Sequence, residues 1–492
     1  MQKFGEESVP KPLTLWRIAL GPALAVGAYL LPFGLAPNAH LLLAIVVLAV
    51  CFWVTEAIPA PVTALLGPTL AVLFGLGGVK NIFAPFADPV VFLFIGSFMV
   101  AEAMQLQGLD RRLALAILSQ RWANRSAGGL LFSMGLVTCV ISLWVSNTAT
   151  TAMMLPIGLG VLRALGRGEK NSKTPYATAM MLMLTWSSSV AVGLPIASPP
   201  NLIAIGMSDE LTNSPITFAD WIMVAMPMTV AMLVLCFVLL KWLYRDESVG
   251  TAGLEQYVTA ERERLGSWTT GQKSVAFTFF VLSLLWFIPA VLAAVLAKDH
   301  PAVVWTEHHL PESFAALFAA SLLFFLPAGN GRPALSWREA KGIDWGTVIL
   351  FGGGLSLGKL IFDTKLADAI GRGVTAFLGV NDVWGITAAA IVMGIVVSEA
   401  ASNTASANAV IPVVIAVADA AGVSTTPPIF GAALGASFGF MLPVSTPPNA
   451  IIYSSGLVPL RQMIRAGIWL DLSGAALIWL FLRVLCPLLG MV

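Results

Sequence analysis

The chain has 492 residues, of which 58% are hydrophobic and only 11% are charged. Soluble domains usually carry about 25% charged residues, so the composition excludes an ordinary soluble protein and predicts an all-α polytopic membrane protein. The formal net charge of +1 offers no basic face for a nucleic acid. The four cysteines lie far apart in apolar runs, without metal-ligand or redox spacing.

Apolar stretches of spanning length recur along the whole chain. A helix needs about 20 apolar residues to cross the hydrocarbon core of a bilayer. About eleven spans are predicted, two of them broken (174–207 and 427–457), at residues 13–35, 39–59, 61–77, 89–107, 174–207, 219–244, 272–296, 312–328, 345–362, 427–457 and 463–490. Polar residues interrupt two further apolar segments, 127–165 and 380–418, which predicts two re-entrant helical hairpins.

The longest polar stretch, residues 245–271, is interpreted as a solvated cytoplasmic linker helix between two halves, 1–244 and 272–492. Lys and Arg concentrate in the loops on one side of the predicted spans. The positive-inside rule therefore predicts a multi-pass protein of the inner (plasma) membrane, with a cytoplasmic N-terminus and an outer C-terminus. The predicted outer side keeps mainly Lys80, Lys298, Lys365 and Arg372.

An internal repeat connects the two halves. The motif Ser-Asn-Thr-Ala-Thr at 146–150 recurs as Ser-Asn-Thr-Ala-Ser at 402–406. Each copy has a serine four residues earlier, Ser142 and Ser398, and the copies lie 256 residues apart.

A second repeated element follows each motif: Leu-Pro-Ile-Ala-Ser-Pro-Pro-Asn at 194–201 and Leu-Pro-Val-Ser-Thr-Pro-Pro-Asn at 442–449. Successive prolines break a helix, and non-helical backbone at membrane depth is tolerated only where it is buried or lines a cavity. An odd number of predicted crossings separates the two copies. The chain is therefore predicted to be an inverted-topology repeat, as in many secondary transporters.

The repeated motifs suit two kinds of ligand. Freed carbonyls and the oxygens of Ser, Thr and Asn are hard ligands that favour an alkali cation, and helix N-termini that begin after each break attract an anion. One motif alone is equally typical of a helix cap. Two copies, each with a Pro-Pro-Asn partner, favour binding of a small divalent anion together with sodium.

At these residues the sequence resembles the divalent anion:sodium symporter family, which includes sodium-coupled di- and tricarboxylate carriers. The resemblance covers nearly the whole chain and also rests on segments 55–65, 92–96, 108–112 and 440–449. It implies a scaffold domain and an elevator-like transport domain, a homodimer, and sodium symport of a C4-dicarboxylate such as succinate, malate or fumarate.

The resemblance further implies site residues and two or more sodium ions. The first sodium site would use Ser142, Ser146, Asn147 and the backbone of Gly193. The second would use Ser398, Ala401, Asn403 and the backbone of Ser445. The substrate would meet Asn147, Thr148, Asn403, Thr404, Thr446 and Pro447. The sequence departs from the family pattern at Leu194, Pro195 and Ala197, which leaves the strength of the first sodium site open.

Other functions remain open at this stage. A sodium-independent dicarboxylate exchanger and a citrate or sulfate carrier would use the same motifs. Proton coupling is a further alternative, because acidic residues in or near spans are functional candidates: Glu56, Glu102, Glu399 and Asp471. A membrane enzyme lacks an evident metal or nucleophile motif, and hairpins that enter from opposite sides suit alternating access better than a channel.

Overall fold

The computed structural model describes residues 15–120, 122, 126–166, 174–244, 253–297, 299–329 and 331–492. Lys298, residues 1–14 and residues 245–252 of the predicted linker lie outside the described residues. The described chain is almost entirely helical, which confirms the all-α class.

The first half and the linker contain twelve labelled helices. They are α1 (Leu15–Leu30), α2 (Pro37–Thr55), α3 (Ala60–Leu73), α4 (Val79–Phe83), α5 (Pro89–Leu106), α6 (Leu109–Leu118), α7 (Ala127–Ser142), α8 (Asn147–Ala164), α9 (Pro175–Ser189), α10 (Pro199–Leu211), α11 (Phe218–Leu243) and α12 (Leu254–Leu265). Short 3-10 turns at Ala84–Ala87 and Pro195–Ala197 precede α5 and α10.

The second half adds a short β-hairpin to its helices. The elements are α13 (Thr270–Val295), α14 (Pro301–His309), α15 (Glu312–Leu322), β1 (Pro327–Gly329), β2 (Arg332–Pro333), α16 (Trp337–Ala340), α17 (Trp345–Asp363), α18 (Leu366–Leu378), α19 (Val383–Ala400), α20 (Asn403–Ala421), α21 (Thr426–Ala436), α22 (Pro447–Ser454) and α23 (Leu460–Leu488).

Eight stretches of the described chain are long and apolar enough to cross a membrane, and four shorter helices are also apolar. Each predicted span contains at least one helix, and both predicted breaks are present. One boundary differs from the prediction. The span expected at 312–328 ends as a helix at Leu322, because the chain turns into β1 at Pro327 and continues through glycines with positive φ at 329 and 331.

Equivalent helices of the two repeats begin at equivalent capping residues. Asp88 caps α5 and Asp344 caps α17, and these two residues are 256 positions apart. The same offset relates the capping residues of α7 and α19, Ser126 and Asp382. Side-chain oxygens of such residues satisfy the free N–H groups of a first helical turn, so the repeat extends from the motifs to the helices around them.

The two halves pack reciprocally. Helix α10 packs against α20, and its counterpart α22 packs against α8. In the same way α5 packs against α15, and α17 packs against α3. Each helix thus packs against the same kind of partner as its counterpart in the other half, as an approximate two-fold relation between the halves requires. This packing brings the two hairpins and the two breaks together.

Part of the linker is a packed helix rather than a solvated one. On α12, Val258 and Glu261 are buried. The Glu261 carboxylate forms 2.6 Å ion pairs with Arg111 of α6 and with Arg264. The amphipathic helices α6 and α18 were also not expected from the sequence; they pack against α7 and α20 respectively.

Candidate functional site

Each Ser-Asn-Thr motif lies at the tip of a helical hairpin. In the first hairpin, Ser146 is the N-cap of α8 and its Oγ accepts a 3.3 Å hydrogen bond from the Ala149 N–H. In the second, Ser402 caps α20 by accepting a 3.3 Å hydrogen bond from the Ala405 N–H. The capping role considered for these serines is therefore present, and it leaves the neighbouring asparagines available for other contacts.

In each half, a serine of the preceding helix contacts both the asparagine of the motif and a carbonyl of a broken helix. Ser142 Oγ lies 2.9 Å from Asn147 Oδ1 and 2.9 Å from the Ser188 carbonyl oxygen. In the second half, Ser398 Oγ lies 2.8 Å from Asn403 Oδ1 and 2.8 Å from the carbonyl oxygen of Ala436. Three oxygens from three segments thus converge in each half.

Each cluster has fewer hydrogen-bond donors than acceptors. A serine hydroxyl carries one proton and can donate it to one acceptor at a time, yet each serine faces two acceptor oxygens. Three neutral, hard oxygens with one proton between them fit a bound alkali cation, which would accept the lone pairs that lack a donor. The oxygen ligands that each cluster offers therefore fit a sodium ion, and both clusters are candidate sodium sites.

The asparagines of the Pro-Pro-Asn elements stabilise the non-helical backbone at the two breaks. Asn201 Nδ2 donates to the carbonyl oxygens of residues 192 and 194 at 3.2 and 3.0 Å. Asn449 Nδ2 donates to the carbonyl oxygens of residues 439 and 442 at 2.7 and 3.0 Å. Both asparagines are fully buried, and they satisfy carbonyls that an uninterrupted helix would have satisfied itself.

A cavity of about 560 Å³ lies between the hairpin tips and the breaks. All six residues expected to meet the substrate line it: Asn147, Thr148, Asn403, Thr404, Thr446 and Pro447. The N-termini of α8, α10, α20 and α22 all reach its wall. Because a helix N-terminus carries partial positive charge, four of them around one cavity favour an anion.

Charged side chains do not supply this positive character. Among the described residues that line the cavity, none is Lys or Arg, whereas Glu102 and Asp344 are present. Asp344 accepts from the N–H and the hydroxyl of Thr347, at 3.1 and 2.6 Å, as the cap of α17. Helix ends and bound cations are thus the groups available to balance a negatively charged ligand.

The expected sodium residues divide into two layers. Ser146, Asn147, Asn403 and Ser445 line the cavity, whereas Ser142 and Ser398 are fully buried behind it. The carbonyl that approaches Ser142 belongs to Ser188, and Gly193 lies so close to Met226 that an added Cβ would come within 2.8 Å of the sulfur.

In the second half, Ala401 is the buried C-cap residue that follows α19. The Ser445 hydroxyl donates to Glu399 at 2.6 Å. Sequence reasoning missed the carbonyls of Ser188 and Ala436, since main-chain atoms carry no residue signal.

A sequence profile described as "Sodium:sulfate symporter transmembrane region" matches residues 14–492. The chain belongs to this family. It is 29% identical to a sodium-dependent dicarboxylate transporter of Staphylococcus saprophyticus, over 96% of this chain and 91% of that protein. It is also 29% identical to the transporter of the same description from Staphylococcus aureus, over 99% of this chain and 94% of that protein.

Solved transporter structures share the fold at low sequence identity. The Alcanivorax borkumensis YdaH transporter matches with a TM-score of 0.59 and 16% identity, over 86% of this chain and 89% of that one. Neisseria gonorrhoeae MtrF matches with a TM-score of 0.54 and 15% identity, over 97% of this chain and 96% of that one. These similarities support the transporter architecture and carry no information about the substrate.

Proposed function

We propose that this family member is a sodium-coupled symporter of C4-dicarboxylates such as succinate, malate or fumarate. One observation carries the proposal: two oxygen clusters suited to sodium flank a cavity that four helix N-termini line and that has no Lys or Arg among its described lining residues. A di-anion in this cavity needs compensating charge, since an unpaired buried charge is costly. Two sodium ions, one per cluster, supply it.

The names of the relatives support both parts of this proposal. The two staphylococcal relatives are described as sodium-dependent dicarboxylate transporters. The departures at Leu194, Pro195 and Ala197 leave the Ser142, Asn147 and Ser188 oxygens together. The first sodium site is therefore proposed to bind sodium as the second does.

The proposed transport movement is a slide of the hairpins and broken helices against a scaffold that includes α3, α5, α15 and α17. The cavity extends from the hairpin tips toward the side where α5 ends and α17 begins. That side carries Arg111, Arg112, Arg338 and Lys341, so the positive-inside rule makes it the cytoplasmic side. We infer an inward-facing state, in a protein whose homodimeric assembly and outer C-terminus stay predictions.

Uptake into proteoliposomes tests the proposal. Labelled succinate should accumulate when sodium is outside and should fail to accumulate when choline replaces sodium. Unlabelled malate and fumarate should compete more strongly than citrate or sulfate. Uptake that needs internal dicarboxylate and ignores sodium would identify an exchanger and overturn the symport proposal, and stronger competition by citrate or sulfate would overturn the C4 assignment.

A further inference from the structure

A buried serine connects the first oxygen cluster to two neighbouring hydroxyl groups. Ser188 lies at the end of α9, and its carbonyl oxygen contacts Ser142 Oγ at 2.9 Å. Its own hydroxyl donates a 2.8 Å hydrogen bond to the Thr185 carbonyl oxygen and accepts a 2.9 Å hydrogen bond from Thr151 Oγ1 of α8. All four residues are fully buried. Thr151 and Thr185 therefore fix the position of the residue whose carbonyl belongs to the cluster.

The same helix extends this connection to the opposite half of the molecule. Thr185 Oγ1 donates a 2.7 Å hydrogen bond to Asn449 Oδ1 in the second break. The backbone N–H of Asn449 donates in turn to Thr446 Oγ1 at 3.3 Å, and Thr446 lines the cavity. Hydrogen-bonded residues thus run without interruption from the first oxygen cluster to a wall of the cavity that the second half provides. We call Thr151, Ser188 and Thr185 the hydroxyl chain.

Alanines take the places of these hydroxyl groups in the second half. Equivalent residues lie 256 positions apart in the two hairpins and 248 positions apart in the two broken helices. At these offsets an alanine corresponds to each member of the hydroxyl chain: Ala407 to Thr151, Ala436 to Ser188 and Ala433 to Thr185. Asn201, the counterpart of Asn449, accordingly has an amide oxygen without a hydrogen-bond partner among the described residues. The two clusters therefore offer matching oxygens but differ in how they connect to the opposite half.

The hydroxyl chain joins two parts of the molecule that bind different ligands. A sodium ion at the first cluster would take the Ser188 carbonyl oxygen as a ligand and so fix the last turn of α9. Thr185 lies one turn earlier in the same helix and directs its hydroxyl at Asn449. Because an unpaired buried polar group is costly, α9 and the second break keep one relative position while these hydrogen bonds are made.

We propose that Thr151, Ser188 and Thr185 are positioning residues that couple sodium at the first cluster to the substrate at the second break. Their hydroxyl groups touch neither ligand; they set where the Ser188 carbonyl and the Thr446 hydroxyl lie. Sodium at the first cluster is therefore coupled to the substrate more strongly than sodium at the second. Such coupling is reciprocal, so the substrate also tightens the binding of sodium. The inference rests on the proposed sodium-coupled function and deepens it.

Equilibrium binding of ²²Na⁺ to the purified full-length protein, with and without saturating succinate, measures this coupling. The ratio of the two half-saturating sodium concentrations is the coupling factor. In Thr151→Val and in Ser188→Ala the factor should fall about fivefold, whereas Thr151→Ser, which keeps the hydroxyl group, should retain the wild-type factor. A hydroxyl chain that served stability alone would lower the melting temperature of these variants and leave the factor unchanged.

The matched control is Thr138→Val. It removes a buried hydroxyl group of α7 whose hydrogen bond, within the described part of the chain, goes to the Met134 carbonyl of its own helix. This variant should keep the wild-type coupling factor. Ser188→Ala introduces the residue that the second half already has at the equivalent position, so it decides the question if Thr151→Val fails to fold.

Combined variants assign the effect to one cluster. Thr151→Val added to Ser142→Ala should lower the coupling factor no further, because the ion on which the hydroxyl chain acts has already lost a ligand. Thr151→Val added to Ser398→Ala should lower the factor by the same amount as it does alone, since independent effects add. The reverse pattern would contradict the assignment to the first cluster.

The outcomes separate this inference from the proposed function. A wild type whose sodium binding succinate tightens, with an unchanged factor in Thr151→Val and Ser188→Ala, overturns the role of the hydroxyl chain and leaves the symporter intact. A factor that falls equally in Thr151→Ser also overturns it, since the hydroxyl group would not be the cause. A wild type whose sodium binding is indifferent to succinate overturns the symporter and this inference together.

Discussion

Ser398 and Asn403 are joined by a 2.8 Å contact across the tip of the second hairpin, and Ser142 and Asn147 repeat it at 2.9 Å in the first. The serine of each pair also contacts a main-chain carbonyl oxygen of a broken helix, that of Ser188 or of Ala436. The inverted repeat thus produces two nearly identical oxygen clusters on opposite sides of one cavity. The proposed coupling of one di-anion to two sodium ions rests on this duplication.

Removal of one cluster serine should weaken sodium binding. In Ser398→Ala the cluster loses a ligand, and the sodium concentration for half-maximal succinate uptake should rise about tenfold, equivalent to ~1.4 kcal/mol. Ser142→Ala should behave similarly. The matched control is Ser406→Ala, since that buried hydroxyl bonds to the Gly394 carbonyl within the hairpin at 3.1 Å. A sodium dependence that Ser398→Ala leaves unchanged would contradict the assignment.

Thr185 should stabilise the second break from the other half of the molecule. Its hydroxyl donates to Asn449 Oδ1 at 2.7 Å, and both residues are fully buried. Thr185→Val removes the donor and leaves a buried amide oxygen unpaired, which costs about 1–3 kcal/mol. The apparent melting temperature in detergent should fall.

The control for this change is Thr138→Val, since the Thr138 hydroxyl bonds, within the described part of the chain, only to a carbonyl of its own helix, that of Met134, at 2.7 Å. An equal loss of stability in both variants would show that the hydrogen bond between Thr185 and Asn449 stabilises the protein no more than a hydrogen bond within one helix.

An ion pair bridges the two proposed domains away from the cavity. Lys359 of α17 pairs with Glu210 of α10. If α10 slides past α17 during transport, a tether between these positions should stop the cycle. In a variant without the four natural cysteines, Lys359→Cys with Glu210→Cys, treated with a cleavable bifunctional thiol reagent, should lose uptake and regain it on cleavage. Full uptake with the cross-link in place would exclude the slide, and each single-cysteine variant serves as the control.

Asp110 should make stability depend on pH. Burial raises the pKa of its carboxyl to about 6, whereas an unfolded Asp titrates near 3.9. The folded protein therefore binds more protons between these values, and its stability rises as the pH falls from above 6 toward 4. One pKa unit corresponds to ~1.4 kcal/mol, so ionised Asp110 costs the folded state up to ~3 kcal/mol above pH 6.

Asp110→Asn should consequently raise the melting temperature at pH 7.5 and have little effect at pH 4.5. Glu263→Gln, which changes an exposed carboxyl group of α12, is the control. A variant that melts earlier than the wild type at pH 7.5 would show that the Asp110 carboxylate is instead stabilising, through its 2.7 Å contact with the Arg111 N–H.

The sequence predicted the hairpins and breaks to within a few residues, because Ser-Asn-Thr and Pro-Pro-Asn mark helix starts by capping and by loss of N–H donors. The residues that line the cavity could then be predicted as well, because the motifs of both halves mark helix N-termini that bind one ligand. The carbonyls of Ser188 and Ala436 could not be predicted, because every residue has one and only the fold selects which ones converge.

The packing of helices that lie outside the spans was missed for a different reason. The charges around Arg111 concealed helix α6, and those around Glu261 led to the prediction of a linker helix that is solvated on all sides. The structure instead pairs them with each other while the apolar faces of their helices pack on the membrane bundle. Likewise Glu399 and Ser445, 46 residues apart, meet only because the second break folds back on α19.

Equilibrium binding of labelled succinate to the purified protein at increasing sodium concentration tests the central claim most directly. The two-cluster site predicts that succinate binds more tightly as sodium rises, and that Asn147→Ala and Asn403→Ala each abolish this increase. Equal succinate affinity in sodium and in choline would contradict the claim that cations at the paired hairpins neutralise the bound di-anion.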